Sequence, residues 1–167
     1  MKMKQLKSYI NIRKGKSVIH VNDNDIAIVI EEELDKLGRE ADLNHIDTSK
    51  VTDMYCLFSD LGDTWDNNNH YKDVNPDISK WNVSNVKDMR YMFYKCYNFN
   101  CDISEWDVSN VEMSQFMFKG CKSFNQDLSS WTLKSAPVKN SYDYVLDLWF
   151  EDCPLPNNKR PVYIFAK

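Results

Sequence analysis

Three histidines, five cysteines and a scatter of aspartates are the residue types of this 167-residue chain that could do proton-transfer or metal-binding chemistry. His20, His45 and His70 lie far apart, so a shared site would have to be assembled by the fold. His45 has Asp47 two residues on to orient its imidazole, although a hydrogen-bonded structural histidine is the plainer reading. Asp60, Asp63 and Asp66 bring three carboxylates into one segment, either a loose cation site or a polar surface loop. The run NDND at 22–25 lacks the glycine and closing glutamate of a calcium hand and is better read as a helix cap. Cys56, Cys96, Cys101, Cys121 and Cys153 are odd in number and lack paired CxxC spacing, which fits free, mostly buried thiols. Met89, Met92 and Met117 recur beside cysteine and phenylalanine, where adaptable core filling explains them better than soft-metal ligation. There is no GxSxG, HExxH or Walker loop, and only four glycines could cradle a phosphate. No catalytic, cofactor or metal residue is assigned. An enzyme would be a weak hydrolase built on His45 or on the Asp60 to Asp66 cluster.

Composition sets what must position such residues. Hydrophobic residues make up 43% and aromatics 13%, so the chain folds, and at 19.7 kDa one structural domain is the expectation. The formal charge of -4 argues against nucleic acid as a direct partner. Lys2, Lys4, Lys7, Arg13, Lys14 and Lys16 make the start of the chain basic, which reads as a lysine-protected cap edge. No apolar run reaches membrane-spanning length and no secretory leader is visible, so the chain as written is expected in the cytoplasm. A leader removed beforehand would place it at the cell surface.

The positioning element is a repeat. Trp81, Trp106 and Trp131 are spaced by 25 residues, and Val83, Val108 and Leu133 keep the same phase, as do Phe93 with Phe118, Cys96 with Cys121 and Phe99 with Phe124. Val51, Met54 and Phe58 match Val86, Met89 and Phe93 at an offset of 35, and Trp149, Phe150 and Cys153 match Met117, Phe118 and Cys121 at 32, so the outer units carry insertions. Such periods signal a solenoid whose units bury their apolar faces on one another. The expected fold is an α/β repeat: a short leucine-rich-repeat-like solenoid of about four strand-helix coils with an N-terminal hairpin and helix cap. Residues 1–45 form the hairpin and capping helix, 46–156 the four-unit solenoid and 157–167 a C-terminal cap.

Within a unit, DISKWNVS reads as a short strand. Asn85, and Ser109 with Glu112, read as N-caps of a short helix whose stripe is Val86, Met89, Met92, Phe93 and Cys96. The segment YNFNCD is expected to turn the chain back, its asparagines tolerating the turn geometry where glycine is scarce. The hairpin is placed about Lys14 and Gly15. The capping helix has a stripe of Ile26, Val29, Ile30, Leu34 and Leu37, with Gly38 as its stop. RPVYIFAK reads as a closing strand, and Pro154, Pro156 and Pro161 as a bar to any helical turn between them.

Stacked units present columns of outward side chains. Asp77, Asp102 and Asp127, beside Ser79, Ser104 and Ser129, read as holders of backbone amides. The variable columns read as partner contacts: Lys80, Glu105 and Ser130; Asn82, Asp107 and Thr132; Arg90 and Gln115. A four-strand face offers roughly 300 Å², below the roughly 800 Å² per partner of a standard interface. The insertions, with Trp65, His70, Tyr71, Tyr142 and Tyr144, are therefore expected to extend it. The expected partner-binding set is Trp65, His70, Tyr71, Lys80, Asn82, Glu105, Asp107, Tyr142 and Tyr144.

The units FNCDISEWDVSNVEMSQFMFKGC at 99–121, FNQDLSSW at 124–131 and ADLNHIDTSKVTDMYCLF resemble the BspA-type bacterial surface-protein repeats, a leucine-rich-repeat-like group. The resemblance covers roughly residues 25 to 156. It implies a small right-handed solenoid without catalytic residues, used in protein-protein or surface adhesion. The leading expectation is a non-enzymatic module whose partner is another protein, at a bacterial surface or in bacterial defence. The alternative is an intracellular inhibitor, carried by a phage or mobile element, that binds a host defence nuclease complex in the anti-CRISPR manner.

Overall fold

The structure is a computed structural model and describes residues 18–59, 73–133 and 149–163. The basic N-terminal segment with the Lys14–Gly15 turn, the Asp60 to Asp66 cluster, and Trp65, His70, Tyr71, Tyr142 and Tyr144 lie outside the described residues. In chain order the elements are β1 (Ile19–His20), α1 (Ile26–Leu37), β2 (Ile46–Asp47), β3 (Thr132–Leu133), one 3-10 turn (Asn157–Lys159) and β4 (Val162–Tyr163). β1 pairs in parallel with β2, Ile19 opposite Ile46, and β3 pairs in parallel with β4, Thr132 opposite Val162.

The capping helix forms where its apolar period places it. Ile26, Val29, Ile30 and Leu34 are buried, while Leu37, expected on the same stripe, is 56% exposed. Gly38 at φ 94 ends the helix and donates its N–H to the Leu34 carbonyl. The NDND run caps less directly than expected. The Asp25 carboxylate accepts the Asn22 amide at 2.7 Å, and Asn22 Oδ1 accepts the Asn24 amide at 2.9 Å. Asp23 instead accepts the Thr52 amide at 2.6 Å, the Thr52 hydroxyl at 2.7 Å and the Asp53 amide at 3.1 Å, which clips the helix start to the first repeat.

The expected four-coil strand-helix solenoid of leucine-rich-repeat type is not formed. Among the described residues the α-helical ones are those of α1 and Trp149, each strand is two residues long, and the repeats at 77–98 and 102–123 contain neither element. The reason lies in the backbone of the stripe that resembles a helix. An α-helix sends every amide to the carbonyl four residues back. Here the amides of Met89, Tyr91, Phe93 and Lys95 donate across to Met113, Gln115, Met117 and Lys119 of the next repeat at 2.7 to 3.0 Å. The intervening amides of Met92, Tyr94 and Cys96 donate back three residues, to Met89, Tyr91 and Phe93. Left-handed residues enforce the alternation: Tyr91 and Lys95 stand at φ 59 and 60. A residue near +60° leaves the right-handed helical region and ends any helix that reaches it. The same conformation recurs in register, at Cys56, Tyr91 and Phe116 in one column and at Lys95, Gly120 and Asp152 in another. None of these residues is an asparagine.

The asparagines act through their side chains. Asn75 Oδ1 accepts the Asn100 amide at 2.8 Å and Asn100 Oδ1 accepts the Asn125 amide at 2.9 Å. Asn85, expected as a helix cap, donates its side-chain amide to the Ser49 carbonyl at 2.8 Å, and Asn110 does the same to Ser84 at 2.7 Å.

Neighbouring repeats lie in register, with isolated parallel bridges joining Asp42 to Asp77, Asp53 to Asp88 and Asp88 to Met113. Phe58, Phe93, Phe118 and Phe150 form one ring column at 5.5, 5.6 and 5.5 Å between centroids, and Phe99 stacks on Phe124 at 5.7 Å. The indole N–H of Trp81, Trp106 and Trp131 each donates to a carbonyl of the preceding repeat, Leu43, Ile78 and Ile103. Each tryptophan thereby buries its ring and pairs its polar atom, as buried indoles require. The thiols of Cys96 and Cys121 donate to the Phe58 and Phe93 carbonyls at 2.8 and 2.9 Å. At the far end β4 supplies the closing strand, and Arg160 sits 4.9 Å over the Phe150 ring. The prolines do not exclude a turn: Asn157–Lys159 makes one 3-10 turn between Pro156 and Pro161.

Candidate interaction surface

The arcs 42–50, 77–85, 102–110 and 127–133 form a turn edge, and they carry seven aspartates and glutamates against two lysines. Lys80, Asn82, Glu105 and Asp107 all stand exposed on this edge. Two of the four are held by the fold: Asn82 Oδ1 accepts the Ser84 amide at 3.1 Å and Asp107 Oδ1 accepts the Ser109 amide at 3.0 Å. The Lys80 backbone amide donates to Asn44 Oδ1, leaving the ammonium at the surface. Asp77, Asp102 and Asp127 accept the amides of Ser79, Ser104 and Ser129 at 3.1, 3.0 and 2.9 Å, the amide-holding role their repetition suggested. Asn44 beside Asp77, and then the Ser79 hydroxyl and amide, hold the Asp77 carboxyl below the usual aspartate range.

Each described histidine has a structural partner, and that of His45 is not the Asp47 its sequence neighbourhood suggests. Asp47 pairs with His20 Nδ1 at 2.7 Å, across the β1–β2 pair, and not with His45. His45 Nε2 meets Glu33 of α1 at 2.9 Å, which fastens the helix to the first repeat, and Nδ1 lies 3.2 Å from the Asp42 carbonyl within that repeat. Burial pushes the Glu33 carboxyl up, but Lys36 at 2.8 Å and His45 together hold it below its ordinary value. No group of three or more His, Cys, Asp or Glu side chains among the described residues is arranged to hold a metal ion. All five thiols are free. Burial pushes Cys101 up to about 11 and Cys121 well above the ordinary thiol value, which opposes the thiolate form that nucleophiles and soft-metal ligands use.

The arcs 51–59, 86–98, 111–123 and 149–153 form a different edge, with five basic residues against five acidic ones. Aromatic rings line it. Tyr55 meets Tyr91 edge-on at 6.0 Å, Tyr91 stacks on Phe116 at 5.0 Å and meets Tyr94 edge-on at 5.7 Å. The left-handed conformation of Tyr91 and Phe116 places these two stacked rings at the surface, both half-buried, with Tyr55 47% exposed. A cation lies over each of four rings: Arg90 over Tyr55 at 5.2 Å, Lys95 over Tyr94 at 5.0 Å, Lys119 over Phe116 at 5.6 Å and Lys122 over Tyr97 at 4.5 Å. Arg90 is also bound to Asp88, with Nε 3.0 Å from both carboxylate oxygens, and Lys119 to Glu151 at 2.7 Å. Among the described residues Lys95 and Lys122 have no carboxylate partner. Beside Lys122 an open hollow of about 540 Å³ is lined by Asp152, Cys153 and Pro154.

Of this edge the sequence pattern singled out only the Arg90 and Gln115 column. The signal for the rest was present in the offsets: Tyr55 precedes Arg90 by 35 residues and Tyr97 precedes Lys122 by 25, so each pair shares a column. Because cations cover ring faces, the edge offers ring edges, hydroxyls and ammonium groups more than flat stacking platforms.

Residues 32–145 match the model of a family described as Mycoplasma protein of unknown function, DUF285. The match spans more than half of the chain, and the chain belongs to that family. The family is related to BspA-like repeat proteins. No curated protein and no solved structure matches the chain. No described helix is long and apolar enough to cross a membrane.

Proposed function

We propose that this member of the family is a non-enzymatic protein-interaction module, and that the aromatic and cationic edge is the face that meets the partner. The observation supporting this reading is the cluster of Tyr55, Tyr91 and Phe116, which stays at the surface although the interior of the same repeats is filled with rings. Tyrosine and arginine dominate the energetics of protein interfaces, because each gives apolar area and a polar group from one stiff side chain. The turn edge is the weaker candidate, since Asn82 and Asp107 hold backbone amides.

Capture from a bacterial lysate tests the assignment. A partner retained by the chain and by a Lys80→Ala, Glu105→Ala variant, but lost with Tyr55→Ser, Tyr91→Ser, supports the aromatic edge once circular dichroism shows both variants folded. Equal retention by the two variants, or loss only with the turn-edge variant, contradicts it. A surface protein as the captured partner makes the chain an adhesion module of the BspA-like kind, and a defence nuclease complex makes it an inhibitor.

A further inference from the structure

We infer that the aromatic and cationic edge takes an acidic peptide segment of its partner, with Lys95 and Lys122 as the two cations that receive its carboxylates. The inference rests on the edge being the binding face and adds the chemistry of what it binds. The cations of this edge fall into two kinds. Lys87, Arg90 and Lys119 are paired with Glu112, Asp88 and Glu151 and serve the fold. Lys95 and Lys122 are exposed, have no carboxylate partner among the described residues, and rest over the Tyr94 and Tyr97 rings. An ammonium held over a ring is fixed in position and partly stripped of water, so it loses less on meeting a carboxylate than a freely moving lysine does.

The backbone keeps the two in place. Lys95 is a left-handed residue at φ 60, and a Cβ built on Gly120 would lie 3.3 Å from both its Cα and its Cγ. The glycine therefore leaves the room in which the Lys95 stem lies against the next repeat. In register, Lys122 stands one repeat along and two residues across from Lys95. An extended peptide passing over Tyr94 and Tyr97 would lay its acidic side chains on the ammonium groups and its apolar ones on ring edges and the hollow beside Lys122. The turn edge carries seven acidic residues against two lysines and repels an acidic segment, which leaves the side of Lys95 and Lys122 as the one that receives it.

The test uses a fluorescein-labelled twelve-residue peptide alternating glutamate with tyrosine and leucine, its glutamine counterpart, and the full chain, read by fluorescence anisotropy. The glutamate peptide should bind and weaken as salt is raised, the glutamine peptide should bind at least tenfold more weakly, and Lys95→Glu, Lys122→Glu should weaken the glutamate peptide by about tenfold or more. Lys80→Glu, on the turn edge, should leave binding unchanged. Equal binding of the two peptides, indifference to the double reversal, or no binding of either peptide overturns the inference. So does tighter binding of a single-stranded oligonucleotide. A salt-sensitive dimer seen by sedimentation and abolished by the double reversal overturns it in favour of a second copy as occupant. If neither peptide binds while lysate capture still depends on Tyr55 and Tyr91, the acidic segment falls and the binding face stands.

Discussion

The two edges of the repeat treat their polar residues in opposite ways. On the turn edge Asp77, Asp102 and Asp127 repeat because each holds an amide two residues on in its own repeat. On the aromatic edge the polar residues change from one repeat to the next and bond across it: Lys87 to Glu112 at 3.6 Å, Arg90 to the Tyr55 ring, Lys122 to the Tyr97 ring and Lys119 to Glu151. The repeated aspartates mark bonds made within a repeat, the repeated asparagines and tryptophans bonds made between repeats, and several variable residues of the aromatic edge also bond between repeats. Variable columns are thus not by themselves the positions left for a partner.

The interior that both edges share should carry the largest effect. Phe93→Ala removes the ring stacked on Phe58, Phe99 and Phe118 and should cost about 3–5 kcal/mol in urea denaturation. A loss below about 1 kcal/mol would mean that the two edges do not rest on a common core. Gly120→Ala comes next, because an alanine at φ 80 is strained and its Cβ meets Lys95. A cost of about 1–3 kcal/mol is expected, accompanied by weaker binding at the aromatic edge.

On the turn edge Asp102→Ala should lose about 1 kcal/mol, whereas Asp102→Asn, which keeps the acceptor as Asn82 does, should lose much less. If both substitutions cost the same, the amide bond is not what repeats the residue. Acid should act on the same bonds. The carboxyls of Asp23, Asp47 and Asp77 titrate below the ordinary aspartate value of about 4. Their contribution is therefore complete above that value and is lost as pH falls through the lower folded-state value. The urea midpoint should decline over that window, and Asp77→Asn should flatten part of the decline. The smallest effect belongs to the exposed pair Lys87 and Glu112, for which a double-mutant cycle should give about 0.5 kcal/mol or less.

The period and the core columns were legible because identical residues recur at fixed offsets, and burial of Trp81, Trp106, Trp131 and the phenylalanines follows that register. Local conformation was not legible. Met89, Met92, Phe93 and Cys96 have the spacing of a helical stripe, and the left-handed residues that forbid a helix are Tyr91 and Lys95, types that announce nothing. Gly120, in the column of Lys95 and Asp152, was the one conventional clue. Of the candidate surface, Lys80, Asn82, Glu105 and Asp107 were placed correctly at the surface, but the bonds of Asn82 and Asp107 belong to the fold. The tyrosine edge was missed because aromatic residues in a repeat are read first as core.

The register of the repeats is the premise for both edges, and the three indole N–H groups report on it directly. Hydrogen exchange followed by NMR should find the indole protons of Trp81, Trp106 and Trp131 all protected, exchanging only with global unfolding, as donors to the Leu43, Ile78 and Ile103 carbonyls must be. Exchange of any of the three at the rate of a free indole would contradict the stacking and, with it, both edges.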